Sequence, residues 1–267
     1  MEREFQKMHG LGNDFVVFDA RAEPIAIDAA TARAIADRRI GIGCDQVILL
    51  EPSDIADFRM RIFNPDGGEV ESCGNASRCV ALIAGGRSRI ETKGAILEAD
   101  ATEGSASIDM GRPRFGWEDI PLAYAVESAA IPVGWEELQQ PFAVNVGNPH
   151  AVFFVDDADA IDLARLGPLI ENDPLFPERV NVGVASLEDD AIRLRVWERG
   201  AGLTQACGTG ACAAAIAAIS LRLVRSPVEV RLPGGSLTVD WQPGGHILMS
   251  GPATHVFTGC VDLAALA

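Results

Sequence analysis

The sequence predicts an α/β protein with mixed sheets, built from two similar domains. Its 267 residues exceed the roughly 150 residues of an average domain, and its 48% hydrophobic content is ample for two cores. Short β-branched or aromatic segments, bounded by Gly, Pro, Asn or Asp, predict strands that mix with helices without a strict βαβ alternation. The third observation is that motifs of the first half recur in the second.

Strands are predicted at 15–19, 46–50, 60–64, 151–155 and 193–198. A helix is predicted over 28–39, because Asp28 is a typical N-cap residue. Residues 161–172 show helical apolar spacing that Pro168 interrupts. The passages ESCGNASRCVALIA (71–84) and QACGTGACAAAIAA (205–218) each continue from a cysteine into a helix of small apolar residues. Both halves therefore contain both kinds of element.

The second half repeats the first at a nearly constant offset. Five matches follow in order, three displaced by 134 or 135 residues and two by 140: Gly12-Asn13 with Gly147-Asn148, Arg61-Ile62-Phe63 with Arg195-Val196-Trp197, Cys73-Gly74 with Cys207-Gly208, Thr92-Lys93-Gly94 with Leu232-Pro233-Gly234, and Asp109-Met110-Gly111 with Met249-Ser250-Gly251. This unit is far longer than a solenoid repeat. Two homologous domains are the economical interpretation, the first ending near 111–117 and the second near 251–252.

Charge and composition narrow the class of partner. A formal net charge of -16 opposes binding to nucleic acid and to anionic membranes, so a small molecule is the expected partner. The first residues, MEREFQKMHG, hold no apolar signal region, and no run reaches the roughly 18 apolar residues of a membrane helix. We expect a cytoplasmic protein. The sequence leaves its oligomeric state open, with a homodimer as the alternative to a monomer.

The two repeated cysteines lie in a position that favours chemistry. Each opens its helix beside glycine, where backbone N–H groups have no intrahelical partner and can hold a carboxylate. A helix N-terminus can also lower a cysteine pKa from about 8.5 to roughly 3.5–7.5. A single cysteine there more often packs as a small buried residue. The symmetric pair, Cys73 and Cys207, favours function.

Paired acid/base groups at one carboxylate suit racemisation or epimerisation. One group removes the α-proton from one face and the other delivers a proton to the opposite face, while the helix ends stabilise the developing enediolate. No cofactor is expected: there is no G-x-G-x-x-G or P-loop, and neither Lys7 nor Lys93 identifies a pyridoxal phosphate site. No metal is expected, because Cys73-x5-Cys79 and Cys207-x4-Cys212 lack the usual zinc-ligand spacing.

The motifs GLGNDFVVFD, NPDGGEVESCGN, GNPHAVFFVDD, NVGVAS, RVWERGAG and ACGTGACA, in this order, resemble the diaminopimelate epimerase family over nearly the whole chain. The resemblance implies cofactor-independent interconversion of LL- and meso-diaminopimelate, in lysine and peptidoglycan biosynthesis. It also implies two domains related by a pseudo-twofold axis, each with a central helix wrapped by strands, and an active site in the cleft between them. The C-terminal tail would return to the first domain, which gives domains 1–115 plus 253–267 and 116–252.

The resemblance also implies the site residues. Cys73 and Cys207 would be the catalytic bases, one a thiolate and the other a thiol in each direction. His150 would have a supporting role, bonding the substrate amino group or orienting a cysteine. The substrate-binding set would be Asn13, Gln46, Asn64, Gly74, Asn75, Asn148, Asn181, Glu198, Arg199, Gly208 and Thr209. The sequence departs from the family pattern at Ala76-Ser77 and at Leu203, and neither departure removes a proposed base.

Two alternatives stay open at this point. A proline or hydroxyproline racemase of the same superfamily also uses paired cysteines, although it has no distal amino-acid group to recognise. Glu198-Arg199 together with Asn64 and Asn181 favours the epimerase. A thiol redox or regulatory protein would instead cycle the two cysteines through a disulfide. The remaining cysteines, at 44, 79, 212 and 260, are predicted to pack in the interior, and His246 and His255 to lie at the surface or in turns.

Overall fold

The computed structural model describes residues 2–71 and 73–266. It divides into two compact units: unit 1 comprises Met1–Ile108 and Gly251–Ala267, and unit 2 comprises Asp109–Ser250. The sequence placed the corresponding boundaries at 115/116 and 252/253, a few residues further along the chain. Each unit combines strands and helices, so the predicted α/β class is confirmed.

In its described residues, unit 1 begins with two strands and contains two α-helices. Its elements up to residue 109 are β1 (Glu2–Gly10), β2 (Asn13–Asp19), α1 (Ala29–Ala36), β3 (Gln46–Glu51), β4 (Phe58–Phe63), β5 (Glu69–Val70), α2 (Gly74–Ala84), β6 (Gly86–Glu91), β7 (Ile96–Thr102) and β8 (Ser105–Asp109).

Unit 2 has the same order of elements after a short hairpin. They are β9 (Gly134–Trp135), β10 (Leu138–Gln139), β11 (Phe142–Asn145), β12 (Pro149–Phe154), α3 (Leu163–Glu171), β13 (Asn181–Glu188), β14 (Ala191–Glu198), β15 (Gly202–Thr204), α4 (Gly208–Ser220), β16 (Val228–Leu232), β17 (Gly235–Asp240) and β18 (Leu248–Pro252). The chain closes with β19 (Thr254–Asp262) and a 3-10 turn, Leu263–Ala265.

Strand pairing confirms the duplication that the sequence predicts. In unit 1, β1–β2 is antiparallel, β2–β3 parallel, β3–β4 and β4–β5 antiparallel, β4–β6 parallel and β6–β7 antiparallel. The pairs β11–β12, β12–β13, β13–β14, β14–β15, β14–β16 and β16–β17 repeat that series in unit 2. Register agrees as well: Phe15 opposes Gln46, and His150 opposes Asn181, each residue 135 positions later.

A central helix packs against the strands of its own unit, as the resemblance implies. Helix α2 contacts β1, β2, β6 and β7, and α4 contacts β11–β14, β16 and β17. In α4 every residue from Gly210 to Ala218 is buried, because alanine and glycine let strands approach the helix from all sides. The sequence motif of small residues therefore produces a helix that begins directly after Cys207 and lies inside the core.

The flanking helices differ from their predicted bounds. Helix α1 begins after Asp28, whose Oδ1 accepts a hydrogen bond from the Thr31 N–H at 2.8 Å, but it ends at Ala36 rather than at 39. Helix α3 continues through Pro168. Proline removes one backbone N–H donor, yet Leu163, Leu166 and Ile170 are fully buried, and this packing holds the helix together.

One packing prediction is wrong. Cys44, Cys79 and Cys212 are buried as predicted, whereas Cys260 is exposed. Strand β19 pairs with β1 within unit 1, and most of its residues are exposed. Adjacent side chains of a strand point to opposite faces, and here Val261 packs against the core of unit 1 while Cys260 does not. His246 and His255 are exposed, as predicted.

Helix α3 packs closely against β14 at Gly167. A Cβ placed on Gly167 would lie 2.4 Å from Trp197 Cγ, far inside normal contact distance. We expect Gly167→Ala to destabilise the protein by about 1–3 kcal/mol through overpacking, although alanine is the better helix former. Urea unfolding measures this, with Leu169→Ala, at an exposed position of the same helix, as the control. A variant as stable as the parent would contradict the packing described here.

Candidate active site

Cys73 is the N-cap residue of α2. Its backbone is extended (φ -150°, ψ 112°), and its carbonyl accepts hydrogen bonds from the Ser77 N–H and hydroxyl, both at 2.9 Å. Ser77, one of the departures from the family pattern, thus secures the first helical turn. The Cys73 thiol is half-buried and lies 3.8 Å from Asn13 Oδ1, to which it donates.

A chain of side-chain hydrogen bonds surrounds that thiol. Asn13 Nδ2 donates to Asp45 at 2.9 Å, and Asn13 Oδ1 accepts from Asn75 Nδ2 at 3.2 Å. Asn75 Oδ1 in turn accepts from Arg78 Nη2 at 2.7 Å. Arg78 is fully buried. The amide of Asn13 is therefore fixed with its oxygen toward the sulfur, and sequence reasoning missed both Asp45 and Arg78.

An ion-pair network anchors Asp45 and the neighbouring Asp14. Arg38 Nη2 lies 2.6 Å from Asp14 Oδ1 and 2.7 Å from Asp45 Oδ1, and Lys7 Nζ lies 2.5 Å from Asp14 Oδ2. Burial raises the pKa of Asp14, but hydrogen bonds from Arg38 and Lys7 outweigh it and hold the pKa at about 2. Asp14 is therefore ionised at neutral pH, and Lys7 is occupied as its ion-pair partner.

Gln46 and Asn64 form a second pair in unit 1. Gln46 Nε2 donates to Asn64 Oδ1 at 2.9 Å. The turn after Asn64 closes through bonds from the Asn64 N–H to the Gly68 carbonyl and from the Gly67 N–H to the Asn64 carbonyl, both at 2.9 Å. Gln46 Oε1 is buried and has no protein partner among the described residues. It is an acceptor available to a ligand donor.

Cys207 is the N-cap residue of α4, in the same extended conformation as Cys73 (φ -125°, ψ 109°). Its sulfur accepts a hydrogen bond from the Gly210 N–H at 3.3 Å and lies 3.5 Å from the Thr209 hydroxyl. A Cβ on Gly210 would come within 2.9 Å of Val196 Cγ2 and 3.2 Å of the Cys207 sulfur. Only glycine lets the backbone approach the thiol this closely.

Burial gives Cys207 a high pKa. The residue is 3% exposed, and burial together with the negative charge of Glu198 raises its pKa well above the ordinary value, although Thr209 and the Gly210 N–H act in the opposite direction. The sequence argument predicted a lowered pKa at a helix N-terminus. That prediction is wrong for Cys207, because the loss of hydration in the interior outweighs the helix end. Cys207 is a protonated thiol at neutral pH.

The turn after β14 presents Glu198 and Arg199. Glu198 Oε1 accepts from the Thr204 hydroxyl at 2.6 Å. The Arg199 N–H donates to Asn181 Oδ1 at 3.0 Å, and Arg199 Nη1 donates to the Glu178 carbonyl at 3.0 Å. Asn181 is buried, and its Nδ2 donates to a backbone carbonyl at 2.8 Å. Hydrogen bonds thus hold both the carboxylate of Glu198 and the guanidinium of Arg199.

His150 is fully buried, and its described hydrogen bond joins Nε2 to Asn148 Oδ1 at 2.9 Å. Burial and the charge of Arg199 lower its pKa to about 3, so the imidazole is neutral at pH 7 and donates from Nε2 to the amide oxygen. The predicted partners were a cysteine or the substrate amino group. Among the described residues His150 bonds and orients Asn148, and its contact with a cysteine or with the substrate amino group stays a prediction.

The structure therefore brings the predicted residues together in groups. In unit 1, Cys73, Asn13 and Asn75 are joined, as are Gln46 and Asn64; in unit 2 the joined pairs are Cys207 with Thr209, Asn181 with Arg199, and Asn148 with His150. Gly74 and Gly208 are the first residues of α2 and α4. Among residues 2–71 and 73–266, no cluster of His, Cys, Asp or Glu could hold a metal, and no helix could span a membrane.

The charge of Glu198 has a measurable effect on Cys207. Glu198→Gln removes a negative charge that raises the thiol pKa, so the thiolate fraction at a fixed pH increases. We expect Cys207 to react with iodoacetamide at pH 8 roughly threefold faster or more, since each pKa unit is tenfold in thiolate. Mass spectrometry of the alkylated peptide measures the rate. Glu188→Gln, at an exposed salt bridge with Arg231, is the control, and an unchanged rate in Glu198→Gln would contradict the expectation.

Comparison with known proteins assigns the family. The diaminopimelate epimerase family model matches residues 5–116 and 142–256. A diaminopimelate epimerase of Rhizorhabdus wittichii is 64% identical over 267 residues, covering 99% of this chain and 97% of that protein. Another, from Erythrobacter litoralis, is 63% identical and covers 98% of each.

A solved structure agrees in fold. A hydroxyproline epimerase from Agrobacterium vitis, solved with trans-4-hydroxy-L-proline bound, superposes with a TM-score of 0.67 at 17% identity and covers 97% of this chain and 92% of that one. At this identity the likeness shows the fold alone. The sequence matches are far closer and extend along the whole chain, and by them this chain belongs to the diaminopimelate epimerase family.

Proposed function

We propose that this isomerase interconverts LL- and meso-diaminopimelate, in lysine and peptidoglycan biosynthesis, with Cys73 and Cys207 as its two bases. The observation that carries the assignment of the bases is their equivalence. Each is the extended N-cap residue of the central helix in one copy of a duplicated fold. No other pair of thiols in the described chain has this relation, since Cys79 and Cys212 lie within those helices and are buried.

The reaction needs one ionised and one protonated thiol. Once it has lost the proton that it donates to Asn13 Oδ1, Cys73 as the thiolate removes the α-proton, and the electron pair left on the carbon delocalises into the carboxylate as an enediolate. The protonated Cys207 then delivers its proton to the opposite face. The reverse reaction uses the same groups in exchanged roles. The high pKa of Cys207 supports this starting state.

The helix N-termini supply the electrostatic stabilisation. Backbone N–H groups at Gly74-Asn75 and Gly208-Thr209 are the proposed donors to the reacting carboxylate, where negative charge grows in the transition state. No cofactor takes part in this proposal. His150 contributes indirectly, since its hydrogen bond fixes the amide of Asn148.

The protein must also bind the second ammonium and carboxylate groups, at the distal end of the substrate. Glu198 suits an ammonium group, and the Arg199 guanidinium suits a carboxylate, which it can grip with two parallel hydrogen bonds. We assign substrate binding as well to six residues whose amides can serve as donors and acceptors: Asn13, Gln46, Asn64, Asn75, Asn148 and Asn181. A proline racemase has no distal head to hold, and the Glu198-Arg199 pair therefore favours diaminopimelate.

Other predictions from the sequence remain proposals. These are the division into domains 1–115 plus 253–267 and 116–252, the cytoplasmic location, the exclusion of nucleic acid as a partner, and assembly as a homodimer.

Isotope exchange tests the two-base assignment. In deuterated water we expect the parent protein to exchange the α-proton of LL-diaminopimelate and to form the meso isomer. Cys73→Ala and Cys207→Ala should each lose about 10²–10⁴-fold in epimerisation, the usual contribution of a positioned acid or base. NMR follows both events, and Cys260→Ala, at an exposed position, is the matched control. Full turnover in either site variant would refute the assignment, and exchange on proline alone would favour the racemase.

The close approach of Gly210 to Cys207 yields a second test. Gly210→Ala places a methyl group 3.2 Å from the sulfur and so displaces the thiol. A displacement of about 1 Å can cost 10²-fold in rate, and we expect kcat to fall by about that factor. Gly183→Ala is the control, because its added methyl group would lie 3.5 Å from the nearest side chain, an ordinary contact. If both variants kept the parent's kcat, the geometry around Cys207 would not limit the reaction.

A further inference from the structure

Glu171, the last residue of α3, is a buried carboxylate outside every motif of the site. It is 5% exposed. Its Oε2 accepts a hydrogen bond from Trp197 Nε1 at 2.7 Å, and its Oε1 accepts one from the Gly200 N–H at 2.9 Å. Arg179 Nη1 lies 3.4 Å from the same Oε1. One carboxylate therefore binds the residue before the Glu198-Arg199 pair and the residue after it.

This location is unfavourable for an acidic side chain in two respects. The C-terminus of a helix carries partial negative charge, which disfavours a carboxylate there. Burial removes the hydration of the charge, and a buried ion pair is often no more stabilising than apolar side chains of similar volume. Stability alone therefore does not account for Glu171.

The duplicated unit provides an internal comparison. Helix α1 corresponds to α3, and its last residue, Ala36, precedes Glu171 by 135 positions. Ala36 is also buried, at 4% exposure. The residues that precede Trp197 and Arg199 by 134 positions are Phe63 and Pro65, which offer neither an indole N–H nor a guanidinium. The same fold thus forms without a carboxylate in the copy that lacks the Glu-Arg pair.

We propose that Glu171 is a positioning residue that holds the turn from Trp197 to Gly200 and so sets the place of Arg199. The proposal rests on the proposed function, in which Arg199 grips the distal carboxylate of the substrate. Glu171 fixes both flanks of the turn, and the bond from the Arg199 N–H to Asn181 fixes its middle. With three points held, little freedom of the turn remains to be lost when substrate binds.

The packing beneath the turn supports the same role. Trp197 lies against Gly167 so closely that no side chain fits between them. Gly167 and Glu171 are four residues apart and share one face of α3. The ring of Trp197 is thereby seated on the helix while its N–H reaches Glu171, so α3 acts as the rigid support of the turn.

Glu171→Gln tests the proposal with little change in shape. An amide has one acceptor oxygen, so either Trp197 or Gly200 loses its bond and faces an N–H donor instead. We expect KM for diaminopimelate to rise about tenfold, with kcat within about twofold, because Arg199 holds ground state and transition state alike. Glu229→Gln, an exposed glutamate on β16, is the matched control and should leave both constants unchanged.

A double-mutant cycle with Arg199→Met separates positioning from general stability. If Glu171 acts through Arg199, the double variant has the KM of Arg199→Met alone, whereas independent effects multiply. The proposal would be overturned if the increases in KM of the two single variants multiplied in the double variant, or if KM were unchanged in Glu171→Gln. An unchanged KM in Arg199→Met would instead overturn the assigned role of Arg199 in the proposed function.

A second variant tests the proposal if Glu171→Gln folds poorly. Trp197→Phe keeps an aromatic ring packed against α3 and removes the indole N–H. We expect KM to rise two- to threefold, because one of the two hydrogen bonds between Glu171 and the turn is lost. A KM equal to that of the parent in a folded Trp197→Phe protein, judged by circular dichroism, would also count against the proposal.

Discussion

Each unit depends on the burial of a helix by the strands around it. A helix enclosed in this way must have small side chains, and α4 meets the requirement with glycine and alanine along its buried length. Its N-terminus is the one part whose backbone donors are not consumed within the helix. The helix that fills the core therefore also presents free backbone donors at its N-terminus, beside the cysteine at its N-cap.

The two copies have diverged around this shared plan. In unit 1 an amide, Asn13, lies beside the sulfur of Cys73, and a buried guanidinium, Arg78, stands one turn further along the helix. In unit 2 the sulfur of Cys207 meets a backbone N–H and a hydroxyl, with the charge of Glu198 nearby. The two equivalent thiols therefore lie in unlike surroundings, one beside an amide oxygen and the other near a carboxylate.

Much of the fold and of the site could be predicted from the sequence. The repeat predicted the duplicated pairing, because matched strands and turns recur at a fixed offset, and the glycines beside Cys73 and Cys207 indicated the helix ends. The repeat could not identify Asp45, Arg78 or Glu171. The hydrogen-bond partners of these charged residues are known only once the fold brings the segments of the chain together. The direction of the Cys207 pKa shift was predicted wrongly for a similar reason. The sequence indicates that Cys207 lies at a helix N-terminus, but it does not indicate how deeply the thiol is buried. The burial of Cys260 was predicted wrongly, because the alternation of side chains along a strand does not show which face of the strand packs against the core.

The hydrogen bond from Gly210 to the sulfur of Cys207 has a dynamic consequence. When that sulfur loses its proton, the acceptor gains charge, and the bond strengthens without any atom having to travel. The surrounding dipole is already oriented because it belongs to a buried helix, so proton transfer needs little rearrangement of its environment. In the proposed reaction, a rigid helix therefore contributes to the rate although none of its alanine side chains takes part.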